Sequence, residues 1–247
     1  MSLVSVIVPC YNSENTIERC VNSILNQTYK KLQVIIINDS STDNSLKKIK
    51  NLKKKDDRIE IINHIKNEGV GIARNSGIKL SKGRYLSFCD SDDEWKFNKI
   101  EKQLNFMNST NQYFCFSDYE IIKNKTKRVR ILPDTINRNK LLDANYVGLL
   151  TAIYDVSFFG KKYFASIRRR QDWIYWLELF KEINEAYKLN EVLATYHVTD
   201  KSLSSNKFRL LKYNFLVFRK FCKMNIFKSF YYLFRFLIFH FFKNKLK

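Results

Sequence analysis

Proline and glycine are both scarce, 2 and 6 in 247 residues. That excludes a collagen-like chain and any linker rich in the two. No internal repeat is found. The five cysteines, Cys10, Cys20, Cys89, Cys115 and Cys222, form no CxxC pair and no zinc spacing. They are expected to be buried free thiols in a reducing compartment. The first residues, MSLVSVIVPCYN, lack the basic start and long apolar stretch of a signal peptide, so the expected location is cytoplasmic. Acidic residues are outnumbered, 24 against 44 Lys and Arg, for a net charge of +20. Such a surplus calls for an anionic partner: nucleic acid, anionic lipid or a nucleotide-linked substrate. It is concentrated late in the chain, where residues 201–247 hold 12 Lys or Arg and no Asp or Glu.

What is present is an ordinary apolar share, 45%, in a chain long enough for one large domain or a domain with a tail. VSVIVPCYN (4–12), LQVIIIND (32–39), RIEIINH (58–64) and RYLSFCD (84–90) read as buried strands. Between them lie helical patterns. One has Ile17, Val21, Ile24 and Leu25 on one face; the others cover 40–55 and 69–83, and a further helix spans about 97–107. Strict alternation of this kind predicts an α/β fold, a mostly parallel sheet flanked by helices. Ligands of such sheets bind beyond the carboxyl ends of the strands. Asn12, Asp39 and Asp90 all stand at such ends. Later, QYFCFSDYEII and TKRVRIL form a strand pair around residues 123–125, and 149–159 reads as a strand. Residues 172–183 read as an amphipathic helix, 190–198 as a late strand and 207–224 as a helix.

One stretch runs against the charge of the whole. In SFCDSDDEW (87–95), Asp90, Asp92, Asp93 and Glu94 crowd behind the fourth strand. Carboxylates so close suit a hard divalent cation, Mg²⁺ or Mn²⁺, whose remaining ligands are waters and substrate phosphates.

With these residues in place, the sequence resembles the family 2 inverting nucleotide-sugar glycosyltransferases of GT-A fold. The resemblance rests on VSVIVPCYNSENTIERCVNSILNQTY, IIINDSSTDNS, NEGVGIARNSGIKLSKGRYLSFCDSDDEW and QDWIYWLEL, in the family's order. It is close over 3–108 and loose over 150–206. It implies a nucleotide-sugar-binding half (1–108), an acceptor and base half (109–206) and a helical tail (207–247). Pro9, Tyr11 and Asn12, with Asp39, would hold the nucleobase of a UDP-sugar; Glu14 would reach the ribose. Arg74 would approach the nucleotide, Asp90 and Ser91 would lie along it, and Asp92, with Asp90, would ligate the metal. Asp93 and Glu94 are read instead as complementing a helix N-terminus. Asp172 would be the general base that deprotonates an acceptor hydroxyl. Gln171 stands where many relatives have Glu, which removes a like charge beside the base. His197 stands where relatives often have Arg; a contact to diphosphate or metal and a structural role are both open. Arg168, Arg169 and Arg170 are read either as an anion site for a lipid-diphosphate acceptor or as a solvated loop.

The tail FKSFYYLFRFLIFHFFKNKLK (227–247) mixes aromatic and basic residues, with Arg235 inside it and the run 236–239 stopped at His240. That falls short of the ~18–20 apolar residues of a spanning helix. An interfacial helix on an anionic membrane surface is expected, the alternative being a helix packed on the catalytic domain. The expected activity is thus sugar transfer to a lipid-linked acceptor in O-antigen, capsule or lipopolysaccharide synthesis, peripheral on the inner membrane face. A nucleotidyltransferase on the same fold, which would release pyrophosphate instead of UDP, is the alternative. Nucleic-acid binding explains the charge but not CDSDD, whose acids would repel the ligand.

Overall fold

The four apolar runs lie side by side. The computed structural model describes residues 1–198 and 207–245; residues 199–206, at the end of the expected base half, and 246–247, at the end of the tail, lie outside the described residues. In chain order the elements are β1 (Val4–Cys10), α1 (Ile17–Leu25), β2 (Leu32–Asn38), α2 (Ser45–Lys55), β3 (Ile59–Asn63), α3 (Val70–Leu80), β4 (Tyr85–Phe88), β5 (Glu94–Trp95) and α4 (Lys99–Ser109). They continue as β6 (Phe114–Lys123), β7 (Thr126–Arg130), β8 (Thr135–Ile136), α5 (Arg138–Asp143), β9 (Ile153–Asp155), α6 (Val156–Phe159), α7 (Gln171–Leu179), β10 (Ala186–His197), α8 (Lys207–Leu216) and α9 (Ile226–Lys245).

Among the described residues ten strands join one sheet, ordered β3-β2-β1-β4-β9-β6-β10-β5, with β7 on β6 and β8 on β10. β1 is parallel to β2 and to β4, and β2 to β3. Successive residues of a strand face opposite sides. So Ile7, Ile35 and Ile37 pack with Ala73 and Ile78 of α3. Val6, Val8, Val34 and Ile36 pack on the other side with Cys20 and Val21 of α1, Ile49 of α2 and Ile100 of α4. α3 comes close to the sheet because Gly77 has no side chain. A Cβ there would sit 2.8 Å from both Ile37 Cδ1 and Ile7 Cγ2. Four of the five cysteines are buried, and all five are free thiols.

The second half departs from simple alternation. β9 runs antiparallel to both β4 and β6, whereas β6 and β10 are parallel. The expected strand over 149–159 shrinks to three residues between a 3₁₀ turn and α6. Asp155 ends it: its Oδ1 accepts the Ser157 N–H at 2.8 Å, capping α6, while Oδ2 pairs with Arg84 at 2.8 Å. β6 and β7 do form the expected hairpin, turning through Asn124 and Lys125, both at positive φ (46° and 67°). The tail is a helix that packs on the domain along one side. Phe236 is buried against Trp173, and Arg235 pairs with Asp143 of α5 at 2.7 Å.

Lys99, at the start of α4, is fully buried. Its Nζ lies 4.0 Å from the centre of the Trp95 ring and 3.4 Å from Ser87 Oγ, with no carboxylate bonded to it. Burial lowers its pKa from 10.5 to about 7. Between these values the unfolded chain binds a proton that the folded chain does not, so this group's cost grows as pH falls from 10.5 to 7. Lys99→Met is therefore expected to raise the denaturant midpoint at pH 7, relieving a cost on the order of 3 kcal/mol. Measured as the difference between variant and parent, the gain should fade as the pH approaches 10.5.

Candidate active site

The carboxyl ends of β1, β2 and β4 open into a cleft of about 800 Å³. Pro9, Tyr11, Asp39, Asp90, Ser91 and Asp92 line it, and Phe164 and Arg168 close the opposite side. Thus the donor-side residues Pro9, Tyr11, Asp39, Asp90, Ser91 and Asp92 singled out in the sequence share one surface, with Arg168 and Gln171. Asn12 and Glu14 are not among the lining residues. Asn12, at φ 48°, turns its side chain to accept the Thr42 N–H at 2.8 Å. Glu14 Oε2 accepts the Asn44 N–H and Nδ2–H, each at 3.0 Å. This placement has a local cause: α2 begins at Ser45, and unpaired N–H groups at a helix start attract a carboxylate. Glu14 Oε2 answers that demand.

Asp39 is 3% exposed and held from three sides. Its Oδ2 accepts the Gly69 N–H at 2.8 Å; its Oδ1 accepts the Glu68 N–H at 3.0 Å and bonds His64 Nδ1 at 2.8 Å. Because a carboxylate only accepts, His64 carries a proton on Nδ1, and its Nε2 is hydrogen-bonded with Ser76 Oγ at 3.0 Å. The sequence reading missed His64, although it follows the third strand at the same rim.

Asp90 pairs with Arg74, Nη2 to Oδ1 at 2.6 Å. Arg74 is not a charge on a helix surface: it is 6% exposed and its guanidinium lies 5.2 Å from the centre of the Phe164 ring. Asp92 has neither an ion pair nor a side-chain hydrogen bond to its carboxylate among the described residues. Burial, then the Asp90 charge, pushes its pKa up to about 6. Asp93 and Glu94 do not complement a helix end, because α4 starts only at Lys99 and Glu94 has joined β10 as part of β5. Instead they fasten the loop. Asp93 accepts the His197 N–H at 3.1 Å, and Glu94 Oε1 meets Arg19 Nε and His197 Nε2, both at 2.7 Å. Burial, then the neighbouring aspartates, raises the Asp93 carboxyl well above the usual range. His197 therefore serves the loop and lines neither cavity.

A second cavity of about 250 Å³ adjoins the cleft and shares Val70, Asp90, Arg168 and Gln171 with it. Asp172, in the first turn of α7, lines it. Asn145 Nδ2 donates to Asp172 Oδ2 at 2.6 Å, leaving Oδ1 without a hydrogen-bond partner among the described residues. Gln171 lies against Gly71, where any Cβ would collide with its amide, and donates to the Ile167 carbonyl. A glutamate could not make that donation. The arrangement is a deep acidic rim next to a smaller chamber with one carboxylate oxygen that has no hydrogen-bond partner among the described residues.

Comparison with known proteins bears on the family and the fold. A glucosyltransferase of Escherichia coli, UDP-Glc:alpha-D-GlcNAc-diphosphoundecaprenol beta-1,3-glucosyltransferase WfgD, is 34% identical over 96% of this chain and 92% of its own. Staphylococcus aureus TarS, solved with UDP-GlcNAc, superposes with a TM-score of 0.77 at 19% identity, over 98% of this chain and 73% of that one. The mannosyltransferase PcManGT of Pyrobaculum calidifontis, solved with GDP-Man and Mn²⁺, gives 0.70 at 15% identity, over 97% and 73%. At these identities the two structures establish the shared GT-A-like fold. The family profile described as glycosyl transferase family 2 matches residues 5–173, from β1 to the first turn of α7, and this chain belongs to that family.

Proposed function

We propose that the chain transfers a sugar, with inversion, from a UDP-sugar to a hydroxyl of a polyprenyl-diphosphate-linked glycan in surface polysaccharide synthesis. The observation that carries this reading is the common wall of the two cavities: nucleotide-side acids Asp39, Asp90 and Asp92 on one side, Asp172 on the other. The activity named for the Escherichia coli relative supports the donor and acceptor classes.

Asp39 accepts a base N–H at the lone pair left on Oδ2, with Pro9 and Tyr11 beside it. Asp90, held by Arg74, and Ser91 lie along the ribose and diphosphate. Asp92 and Asp90 fit a Mn²⁺ or Mg²⁺ ion. They are hard oxygen donors, and the raised Asp92 pKa marks a carboxylate short of positive charge. Among the described residues no cluster of three or more metal-ligating side chains is present, so the ion would arrive with the diphosphate completing its shell. When bound, it supplies positive charge to the departing diphosphate. Asp172 Oδ1 takes the acceptor proton as the acceptor oxygen bonds to the anomeric carbon, and the electron pair of the broken C–O bond leaves on UDP. Asn145 fixes the carboxylate for this step.

The enzyme works at the inner face of the membrane. No helix among the described residues is long and apolar enough to cross one. α9 shows a stripe at helical spacing, Phe227, Phe230, Tyr231, Phe234 and Leu237, 41–83% exposed, opposite its packed side. Lys220, Lys223 and Lys228 flank it, so an anionic lipid surface complements it in both polarity and charge.

The deciding assay presents UDP-sugars and Mn²⁺ with undecaprenyl-diphosphate N-acetylglucosamine and follows UDP release and glycolipid growth. Pyrophosphate release, or no turnover with any donor, would overturn the reading. Asp172→Asn should cut kcat by about 10²–10⁴ while calorimetric UDP affinity stays within about twofold. Asp92→Asn should remove the Mn²⁺-dependent part of UDP binding; an unchanged metal response would take Asp92 out of the metal site. Serine at Phe227 and Phe234 together should reduce sedimentation with phosphatidylglycerol vesicles at least about tenfold without moving Tm, since these two rings are exposed.

A further inference from the structure

The second cavity carries more positive charge than the transfer step uses. Arg168, Arg169 and Arg170 all line it, and none has an ion pair among the described residues. Arg74 also lines it but is neutralised by Asp90. Arg170 is fixed: its Nε donates to Asn214 of α8 at 2.8 Å, and its guanidinium lies 5.6 Å from the centres of both the Trp173 and Phe236 rings. It holds a left-handed backbone, φ 65°, which an arginine adopts only against strain. Arg169 Nη1 is buried with no hydrogen-bond partner among the described residues. A buried guanidinium N–H without an acceptor is costly, and three adjacent like charges repel. Asp172, near enough to favour the Arg170 charge, makes no ion pair among the described residues and is oriented by Asn145. Packing therefore holds cations around a cavity that supplies them too few anions.

We propose that this cavity is the acceptor subsite for a sugar diphosphate. Arg169, with Arg168 and Arg170, grips the diphosphate joining the first sugar to its polyprenol, while Asp172 faces a hydroxyl of that same sugar. This rests on the reading of Asp172 as the base. The spacing suits it: the anion grip and the base are three residues apart at the start of one helix, and their ligand groups are one sugar ring apart. Guanidinium forks match phosphate oxygens two at a time, which favours arginine over lysine here. The donor diphosphate is the less fitting occupant, because Arg169 and Arg170 do not line the cleft that holds Asp39 and Asp92. Leu149 and Leu210 line the same cavity and offer an apolar way out for the lipid. Arg170 contacts Phe236 of α9, so that exit leads toward the helix bearing the exposed aromatic stripe.

The test compares farnesyl diphosphate-linked N-acetylglucosamine with the neutral farnesyl glycoside of the same sugar. Calorimetric titration onto the UDP-saturated protein reads binding without turnover, and kcat and KM are then measured for both acceptors. The parent is expected to bind the diphosphate acceptor about 10- to 100-fold more tightly than the neutral one. Arg169→Gln should reduce that preference to within about threefold through acceptor affinity and KM, with donor KM unmoved, and Arg169→Lys should restore part of it. Equal affinity of the parent for both acceptors overturns the subsite, as does an equal loss for both acceptors in Arg169→Gln. A rise in donor KM alone reassigns the cluster to the donor and also overturns it. Preferential, Arg169-dependent binding without sugar transfer would sustain the subsite and remove Asp172 as the base.

Discussion

Negative charge gathered at the end of a parallel sheet has to be balanced, and each carboxylate of this rim is balanced differently. Asp39 takes two backbone N–H groups at the start of α3 and the His64 ring. Asp90 takes the buried Arg74. Glu94 takes Arg19 and His197. Asp92 makes no ion pair among the described residues, and burial, then the Asp90 charge, disfavours its ionised form more than the nearby Arg19 and Arg74 favour it. The contrast separates acids fastened within the rim from one that is not, a distinction that closely spaced carboxylates do not reveal by themselves.

The same balancing explains which parts were legible in the sequence. β1, β2 and β4 were readable because each is buried on both faces, and double burial leaves an unbroken apolar run, while the edge strand β3, buried only at Ile59, was readable from its β-branched residues. Their polar ends therefore marked the rim. β5 was not readable, and β9 was readable only as a longer strand over 149–159. They are two and three residues long, and their pairing comes from distant partners in β10, β4 and β6. Without β5 in view, Asp93 and Glu94 looked like the start of a helix. Glu14 follows a rim strand in sequence, and its carboxylate accepts the N–H of Asn44, thirty residues on, a partner that only the fold brings near.

The tail illustrates how composition can be right about charge and silent about orientation. A basic, aromatic segment suits a lipid surface, and it equally suits packing on the domain. α9 divides the two. Phe236 and the paired Arg235 face inward, whereas Phe227, Phe230 and Phe234 do not. The helix is thus part of the folded domain on one side and open on the other, so the boundary drawn at residue 207 marks a change of composition more than an independent unit.

That inward side bears on the chemistry. α7 begins immediately after a left-handed arginine, and the first turn so produced carries Asp172. The strained residue is secured by Asn214 from α8, by Phe236 from α9 and by Trp173 from α7 itself. Trp173 also packs on Phe218 and Phe236. The direction of Asp172 is therefore set from the C-terminal helices as well as from Asn145. α9 leaves rings exposed on one face and holds Arg170 and Trp173 through Phe236 on the other, so the seat of the tail and the aim of this carboxylate depend on one another. Loss of either neighbour would let the backbone of Arg170 relax.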